Sequence, residues 1–318
     1  MVRAVAATAY GGTENIRVID VDARAPGEGE VTVAVRAAAL NPFDLKTVGG
    51  ALGTDPAKLP LRLGSEAAGV VTAVGPQPIG LEGEPLAVGD AVFGHRIRGA
   101  AAGEVTVAAS LLIRVPEGAS MPEAAALLSV GTTAVHALES VGVGEGDTVL
   151  IHAASGGVGT MAAQLAILRG ARVIGTASPR HHDDLAALGV EPVAYGDGLL
   201  ERVRALAPDG VSAAIDAVGT DEALAVSLAV VADPARIVTL VNFGAALAAG
   251  ARAIGAGPGA DPGSEIRSAA RLELARLLAD DRIRVDVSRE FPLEEARAAY
   301  EFLATGHPGG KVVLIPEN

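Results

Sequence analysis

"IHAASGGVGT", Ile151–Thr160, carries an apolar strand straight into a run of small residues and glycines. Side chains are cleared from this turn, which raises the question of what approaches the bare backbone. In "DTVLIHAASGGVGTMAAQLA" the strand is expected to end near His152 and a helix to begin near Gly157. Gly156 and Gly159 then take the second and third glycine places of a G-x-G-x-x-G pattern, with Ala154 in the first and Ser155, Gly157 and Val158 between them. Gly156 would let the main chain reach a diphosphate, and Gly159 would let the helix pack closely on the strand. The helix start would offer free N–H groups and a positive dipole end. A tight strand-to-helix turn with no ligand satisfies the same residues, so the neighbouring segments have to decide.

Those segments set the fold class. From Met121 onward helices and apolar strands alternate: "MPEAAALLSVGTTAVHAL", "DTVLIHAA", "GVGTMAAQLAILRG", "ARVIGTAS", "HHDDLAALG", "EPVAY", "LLERVRALAPDG", "VSAAIDAVG", "RIVTLVNFG". Alternation of this size implies an α/β, doubly wound parallel sheet with helices on both faces. Before Pro122, short β-rich runs such as "EVTVAVRAAAL" and "AAGVVTAVG" alternate with Gly/Pro turns, the pattern of a twisted, partly barrel-like β domain. After "GAGPGADPGS" come a helix, a strand ("RIRVDVSREF"), a helix and a last strand ("GKVVLIP"), expected to return to the β domain. The expected division is therefore residues 1–122 with 262–318, and residues 123–261.

The second strand of the α/β part ends "VIGTASPRHH". In a dinucleotide site an adenosine ribose lies there, and an NAD-selective site places an acidic residue on its 2′-OH. This chain has Thr176, Ser178 and Arg180 instead. A hydroxyl and a planar guanidinium suit a 2′-phosphate, so NADPH is expected over NADH. The alternative is an ordinary surface arginine. The next two strands end in Val218-Gly219 and Asn242-Phe243-Gly244, and such carboxyl ends line the cofactor crevice of open sheets.

A net charge of −13 argues against a nucleic-acid or anionic-membrane partner. Half the residues are hydrophobic, enough for a sizeable core, yet no stretch reads as a spanning helix or a signal peptide. There is no cysteine, hence no disulfide, thiolate ligand or thiol nucleophile, which fits a cytoplasmic location. Lysine occurs three times only, at 46, 58 and 311.

The ordered set "AYGGTENIRVID", "VTVAVRAAALNPFDLKTVGG", "LGSEAAGVVTAVG", "VGDAVFG", "GTTAVHAL", "HAASGGVG" and "TGHPGGKVVLIP" resembles the medium-chain dehydrogenase/reductase superfamily, in its zinc-free quinone oxidoreductase branch. The likeness runs over nearly the whole chain. It implies a Rossmann domain beside a GroES-like β domain, and a homodimer joined edge to edge, with "ARAIGAG" as the edge strand. Zinc-dependent relatives hold their metal where this chain has Asn41 and Ser65, neither a good zinc ligand, so no metal is expected. His95 is then a rim or loop residue. Where relatives carry "G-A-Y-A-E-Y" this chain reads "AAAGEV", with Ala102 in place of a tyrosine, which suggests a wide substrate cleft.

Without a Lewis acid, alcohol oxidation is disfavoured, and hydride delivery to a quinone or an α,β-unsaturated carbonyl is expected. Asn41 is a donor for substrate or the nicotinamide ribose; Asp44 and Lys46 form an ion pair ordering the site, or Asp44 is a helix cap. Glu66 binds backbone or Arg62. Thr132 and Thr133 open the linking helix near the cofactor, or cap it, and Tyr195 reaches the 2′-phosphate, or packs. The alternatives are an enoyl-thioester reductase of secondary metabolism and a non-catalytic NADPH-binding redox sensor or scaffold.

Overall fold

The computed structural model describes residues 1–306 and 309–317; His307, Pro308 and Asn318, and so part of the "TGHPGGKVVLIP" motif, lie outside the described residues. Along the chain run β1 Val2–Ala7, β2 Ile16–Val21, β3 Glu30–Ala39, α1 Pro42–Val48, β4 Leu61–Arg62, β5 Glu66–Val74, β6 Ala91–His95, β7 Glu104–Ala108 and β8 Leu112–Arg114. Then follow α2 Met121–Ser140, β9 Thr148–His152, α3 Gly157–Leu168, β10 Arg172–Thr176, α4 His182–Ala187, β11 Glu191–Val193, α5 Leu199–Leu206, β12 Ala213–Asp216 and α6 Asp221–Val230. The last are β13 Ile237–Thr239, α7 Phe243–Ala248, β14 Arg252–Ala253, α8 Ser264–Ala279, β15 Val287–Pro292, α9 Ala296–Ala304 and β16 Lys311–Ile315. The chain divides into two compact units, Met1–Ser129 with Leu272–Asn318, and Val130–Arg271. The breaks fall inside α2 and α8.

In the Val130–Arg271 unit the sheet runs β11-β10-β9-β12-β13-β14, every pairing parallel. Chain order reverses between β9 and β12, which makes the end of β9 the switch point where doubly wound sheets bind ligands. Central strands are apolar throughout because helices cover both faces: Val149, Leu150, Ile151, Ala213, Ala214 and Ile215 are fully buried. The one titratable residue in β9, His152, meets Ser227 Oγ at 3.1 Å, and burial lowers its pKa to about 4, so it stays neutral at neutral pH.

In the other unit β3 is the hub. It pairs antiparallel with β5, β7 and β16, while β6 and β8 extend the sheet beyond β5, and β15 lies parallel to β16. A separate three-stranded sheet, β2-β1-β4, is tied to the loop before β7 by the Ala4–Ala102 bridge. Ala100, Ala101 and Ala102 are all fully buried. The ring missing at 102 therefore opens no cleft wall, which corrects the expectation of width there.

Strand β15 begins at Val287, not Arg282. Residues 282–286 keep the alternating pattern, with Ile283 and Val285 buried, but β16 starts at Lys311 opposite Val287; Asp286 O still accepts from the Lys311 N–H at 2.7 Å, and residues 282–285 have no strand partner among the described residues. Likewise "EPVAY" is a strand only to Val193, which leaves Tyr195 in the following turn.

Helix α3 lies against the end of β9 because residue 159 lacks a side chain. A Cβ there would sit 2.2 Å from the Ala153 carbonyl oxygen and 2.8 Å from Ala154 Cα. Gly159→Ala should therefore lower unfolding stability by about 1–3 kcal/mol through overpacking, read from urea melts. An unchanged midpoint would count against this packing.

Candidate active site

The turn after β9 is built from main chain. Ala153 adopts the left-handed conformation, φ 56°, and the Gly156 N–H donates back to its carbonyl at 3.0 Å. Gly156 caps α3 with extended backbone and no side-chain bond. Thr160 N–H donates to Gly156 O, the first bond of the helix. Among the described residues, the N–H groups of Gly157, Val158 and Gly159 therefore have no protein acceptor, the usual state of a helix start and a ready cradle for an anion. A Cβ on Gly156 would meet only the Ala153 oxygen, at 3.4 Å, so the space in front of the turn is open. Ala154 is fully buried and Ser155 half-buried; the Ala154 methyl is accommodated because β10 has Gly175 opposite, where a Cβ would come within 2.7 Å of it.

At the end of β10 the three proposed phosphate ligands separate. Thr176 is buried, and its Oγ1 accepts from the Ala153 N–H at 3.2 Å and contacts His152 Nδ1 at 3.4 Å. It braces the turn from inside, a correction to its expected place beside the ribose. Ser178 and Arg180 remain accessible, Ser178 capping the short 3₁₀ turn Pro179–His181 and Arg180 Nε lying 3.1 Å from His181 Nε2. Tyr195 is 51% exposed, in a turn clamped by Arg202, which donates to the carbonyls of Ala194, Gly196 and Asp197 at 2.7–3.1 Å.

Asp216 ends β12 and organises the next two turns. Its Oδ1 accepts from Val218 N and Gly219 N at 3.0 and 2.7 Å, and its Oδ2 accepts from Thr239 Oγ1 at 2.8 Å. Thr239 Oγ1 accepts in turn from Asn242 N at 3.2 Å, beside Phe243 and Gly244 in the first turn of α7. Thr132 and Thr133 lie in the middle of α2, whose first residue is Met121, so neither opens nor caps it. Thr132 is buried, and Thr133 Oγ1 accepts from Arg267 at 3.1 Å.

In the β-rich unit, Asn41, Pro42 and Asp44 write the start of α1: a cap, a proline at the first helical place, and a carboxylate returning to the cap's N–H at 3.0 Å. Asp44 does not pair with Lys46. Positions two apart on a helix face different ways, and Lys46 is exposed. The partner of Asp44 is the buried Tyr300, whose hydroxyl donates to Oδ2 at 3.3 Å.

Behind them lies a group that the sequence reading missed. Lys311 Nζ donates to Asn41 Oδ1 and Glu66 Oε1, both at 2.7 Å; Asn41 Nδ2 donates to the same Glu66 oxygen at 3.0 Å; Ser129 N–H donates to Glu66 Oε2 at 2.8 Å. Glu66 is fully buried and Lys311 is 4% exposed. Glu66 thus binds Lys311 and not Arg62, and the Asn41 carbonyl is committed to the protein. The ammonium already supplies the positive charge between Asn41 and Glu66. Among the described residues no three His, Cys, Asp or Glu side chains are grouped to hold a metal ion. The signal was present as a lone lysine in the apolar "GKVVLIP" and a lone glutamate in "SEAAGVV".

Known proteins place this geometry. The family model described as "Alcohol dehydrogenase GroES-like domain" matches residues 27–117, and that described as "Zinc-binding dehydrogenase" matches residues 188–314. The quinone oxidoreductase of Coxiella burnetii is 31% identical, covers 99% of both chains and superposes with a TM-score of 0.81. Mycobacterial Rv1454c, solved in complex with NADPH, is 30% identical over 99% of this chain and 100% of its own, TM-score 0.83. The spectinabilin polyketide synthase system protein NorB of Streptomyces orinoci is 37% identical over 329 residues, 97% of this chain but only 14% of that protein. The chain belongs to the medium-chain dehydrogenase/reductase superfamily, in its quinone-oxidoreductase-like branch. No helix among the described residues is long and apolar enough to cross a membrane.

Burial raises the Asp44 pKa from 3.8 to about 6, despite the Asn41 N–H and the nearby Lys311 charge. A carboxyl whose folded-state value lies above its ordinary one favours folding when protonated and opposes it when ionised. Its contribution is fully present below pH 3.8 and lost as pH rises through about 6. Relative to Asp44→Asn, the wild type should lose on the order of 2–3 kcal/mol between about pH 4 and about pH 7, by urea melts at both ends. A stability gap that does not change with pH would refute this.

Proposed function

We propose that this chain is an NADPH-dependent, zinc-independent reductase that delivers hydride to a quinone or to the β-carbon of an α,β-unsaturated carbonyl. Cofactor binding is assigned to residues 123–261, and acceptor binding to residues 1–122 with 262–318. The observation that carries the reading is the open main-chain cradle at Gly156–Gly159, with Ser178 and Arg180 accessible at the end of the next strand. The NADPH complex of Rv1454c and the quinone oxidoreductase of Coxiella burnetii support it.

When bound, NADPH supplies the hydride. The N–H groups at the start of α3 take its diphosphate, and Ser178 and the Arg180 fork take the 2′-phosphate. Tyr195, Val218, Gly219, Asn242, Phe243 and Gly244 line the same carboxyl edge of the sheet. On the acceptor side, Lys311 and Glu66 fix the orientation of the Asn41 amide, leaving one N–H to donate to the oxygen on which negative charge develops. Asp44 and Lys46 stand nearby, Asp44 as the group that holds α1 in place. Strand β14, the last in the sheet order, is proposed to join a second copy, as a homodimer.

A second reading, reduction of an enoyl thioester, is favoured by the NorB match over 97% of the chain. A panel of quinones, enones and enoyl thioesters with NADPH consumption as readout separates the two. Tight NADPH binding with no turnover on any acceptor would leave a non-catalytic sensor or scaffold.

Arg180→Ala should weaken NADPH by about 1–3 kcal/mol with little change for NADH. Equal losses for both cofactors, by fluorescence titration, would remove the 2′-phosphate assignment. Gly156→Val should abolish binding of both while the far-UV spectrum and melting point persist, because the first added carbon fits and the rest enters the cradle. Undiminished NADPH titration would reject the cradle.

A further inference from the structure

The β-rich unit contains a cavity of about 180 Å³ between α1, the segment after β4 and the loop following β6. Three guanidinium-bearing residues stand on its wall: Arg62, Arg96 and Arg98. Among the described residues none of the three forms an ion pair with a carboxylate. Arg62 is half-buried and gives one N–H to Gly99 O at 3.2 Å, but its Nε–H is buried with no acceptor. Burial and the Arg98 charge together hold the Arg62 guanidinium below its ordinary pKa.

The backbone is shaped to keep this arrangement. Gly99 has a φ of 72°, and a Cβ there would lie 2.7 Å from Arg62 Nε, so only glycine leaves room for the guanidinium. Arg96 itself has a φ of 67°, a left-handed conformation that a residue with a Cβ rarely adopts. Asp44 also reaches the wall, its Oδ2 taken by the Asn41 N–H and the Tyr300 hydroxyl, and among the described residues it forms no ion pair with the three arginines. Like charges held together and a buried donor left unsatisfied are both deficits that an anion would relieve. Planar guanidinium forks match phosphate oxygens, and a doubly charged group suits three cations better than a single carboxylate does.

We propose that this cavity binds a phosphate ester carried by the acceptor substrate, with Arg62 and Arg98 forking its oxygens and Arg96 closing over it. The inference rests on the reading of the chain as a reductase of an activated acceptor, and it narrows the acceptor to one with a phosphorylated tail.

The test uses the full chain with NADPH and two acceptors that differ in one group, crotonyl-pantetheine and its 4′-phosphate. The wild type should prefer the phosphorylated acceptor in kcat/KM, and Arg98→Gln should reduce that preference roughly tenfold. Arg98 is exposed, so this variant keeps its fold, and Arg62→Gln should act in the same direction. A wild-type preference near one, or equal losses on both acceptors, overturns the proposal while leaving the reductase reading intact. Should neither acceptor be reduced, the reductase reading on thioesters fails. The cavity is then judged by calorimetric titration of 4′-phosphopantetheine: heat that disappears in Arg98→Gln supports the site, and no heat with the wild type overturns it. A fall in NADPH affinity with an unchanged acceptor preference assigns the arginines to the cofactor, and also overturns it.

Discussion

The α/β unit depends on one close approach, that of α3 to the end of β9. Nothing larger than hydrogen fits on residue 159, because the Ala153 carbonyl occupies the place of its Cβ. That approach turns the first N–H groups of the helix toward the open side of residue 156. It also sets Ala153 in its left-handed conformation, braced by the Thr176 hydroxyl. The open geometry of the turn follows from this contact, while the six strands of the sheet supply a rigid mount at its switch point.

The β-rich unit has a different organising element, a buried ionic group. Removing Glu66 and Lys311 from water is expensive, and their attraction offsets this only where the remaining hydrogen-bonding capacity is met. Here Asn41 bridges both partners and the Ser129 N–H takes the second carboxylate oxygen. The group joins the start of α1, the start of β5 and the start of β16, three segments far apart in sequence. Its value to the fold lies in registering those segments, and through them in fixing the orientation of the Asn41 amide.

Local signals carried most of the fold. The glycine turn and the strand–helix alternation are short-range patterns, and each produced the expected element near the expected residues. What the sequence did not disclose depends on partners. Residues 282–285 have a strand's alternation and no strand partner among the described residues. Asp44 and Lys46 are close in number, yet helix geometry separates them and sends Asp44 to Tyr300. Lys311 meets Glu66 across 245 positions, a pairing no local pattern encodes. Thr176 had suitable chemistry for a phosphate, but its direction was decided by the turn packed on top of it.

The missing side chain of Gly175 has a consequence for how such a turn can drift. Dinucleotide folds ordinarily put glycine where this chain has Ala154, and the methyl is tolerated because the adjoining strand has given up its own carbon at 175. Bulk has been moved across a strand pair, not added. The two positions behave as a single allotment of volume, one carbon to be held by either, so ancestry should show them exchanging size together while the cradle itself stays unaltered.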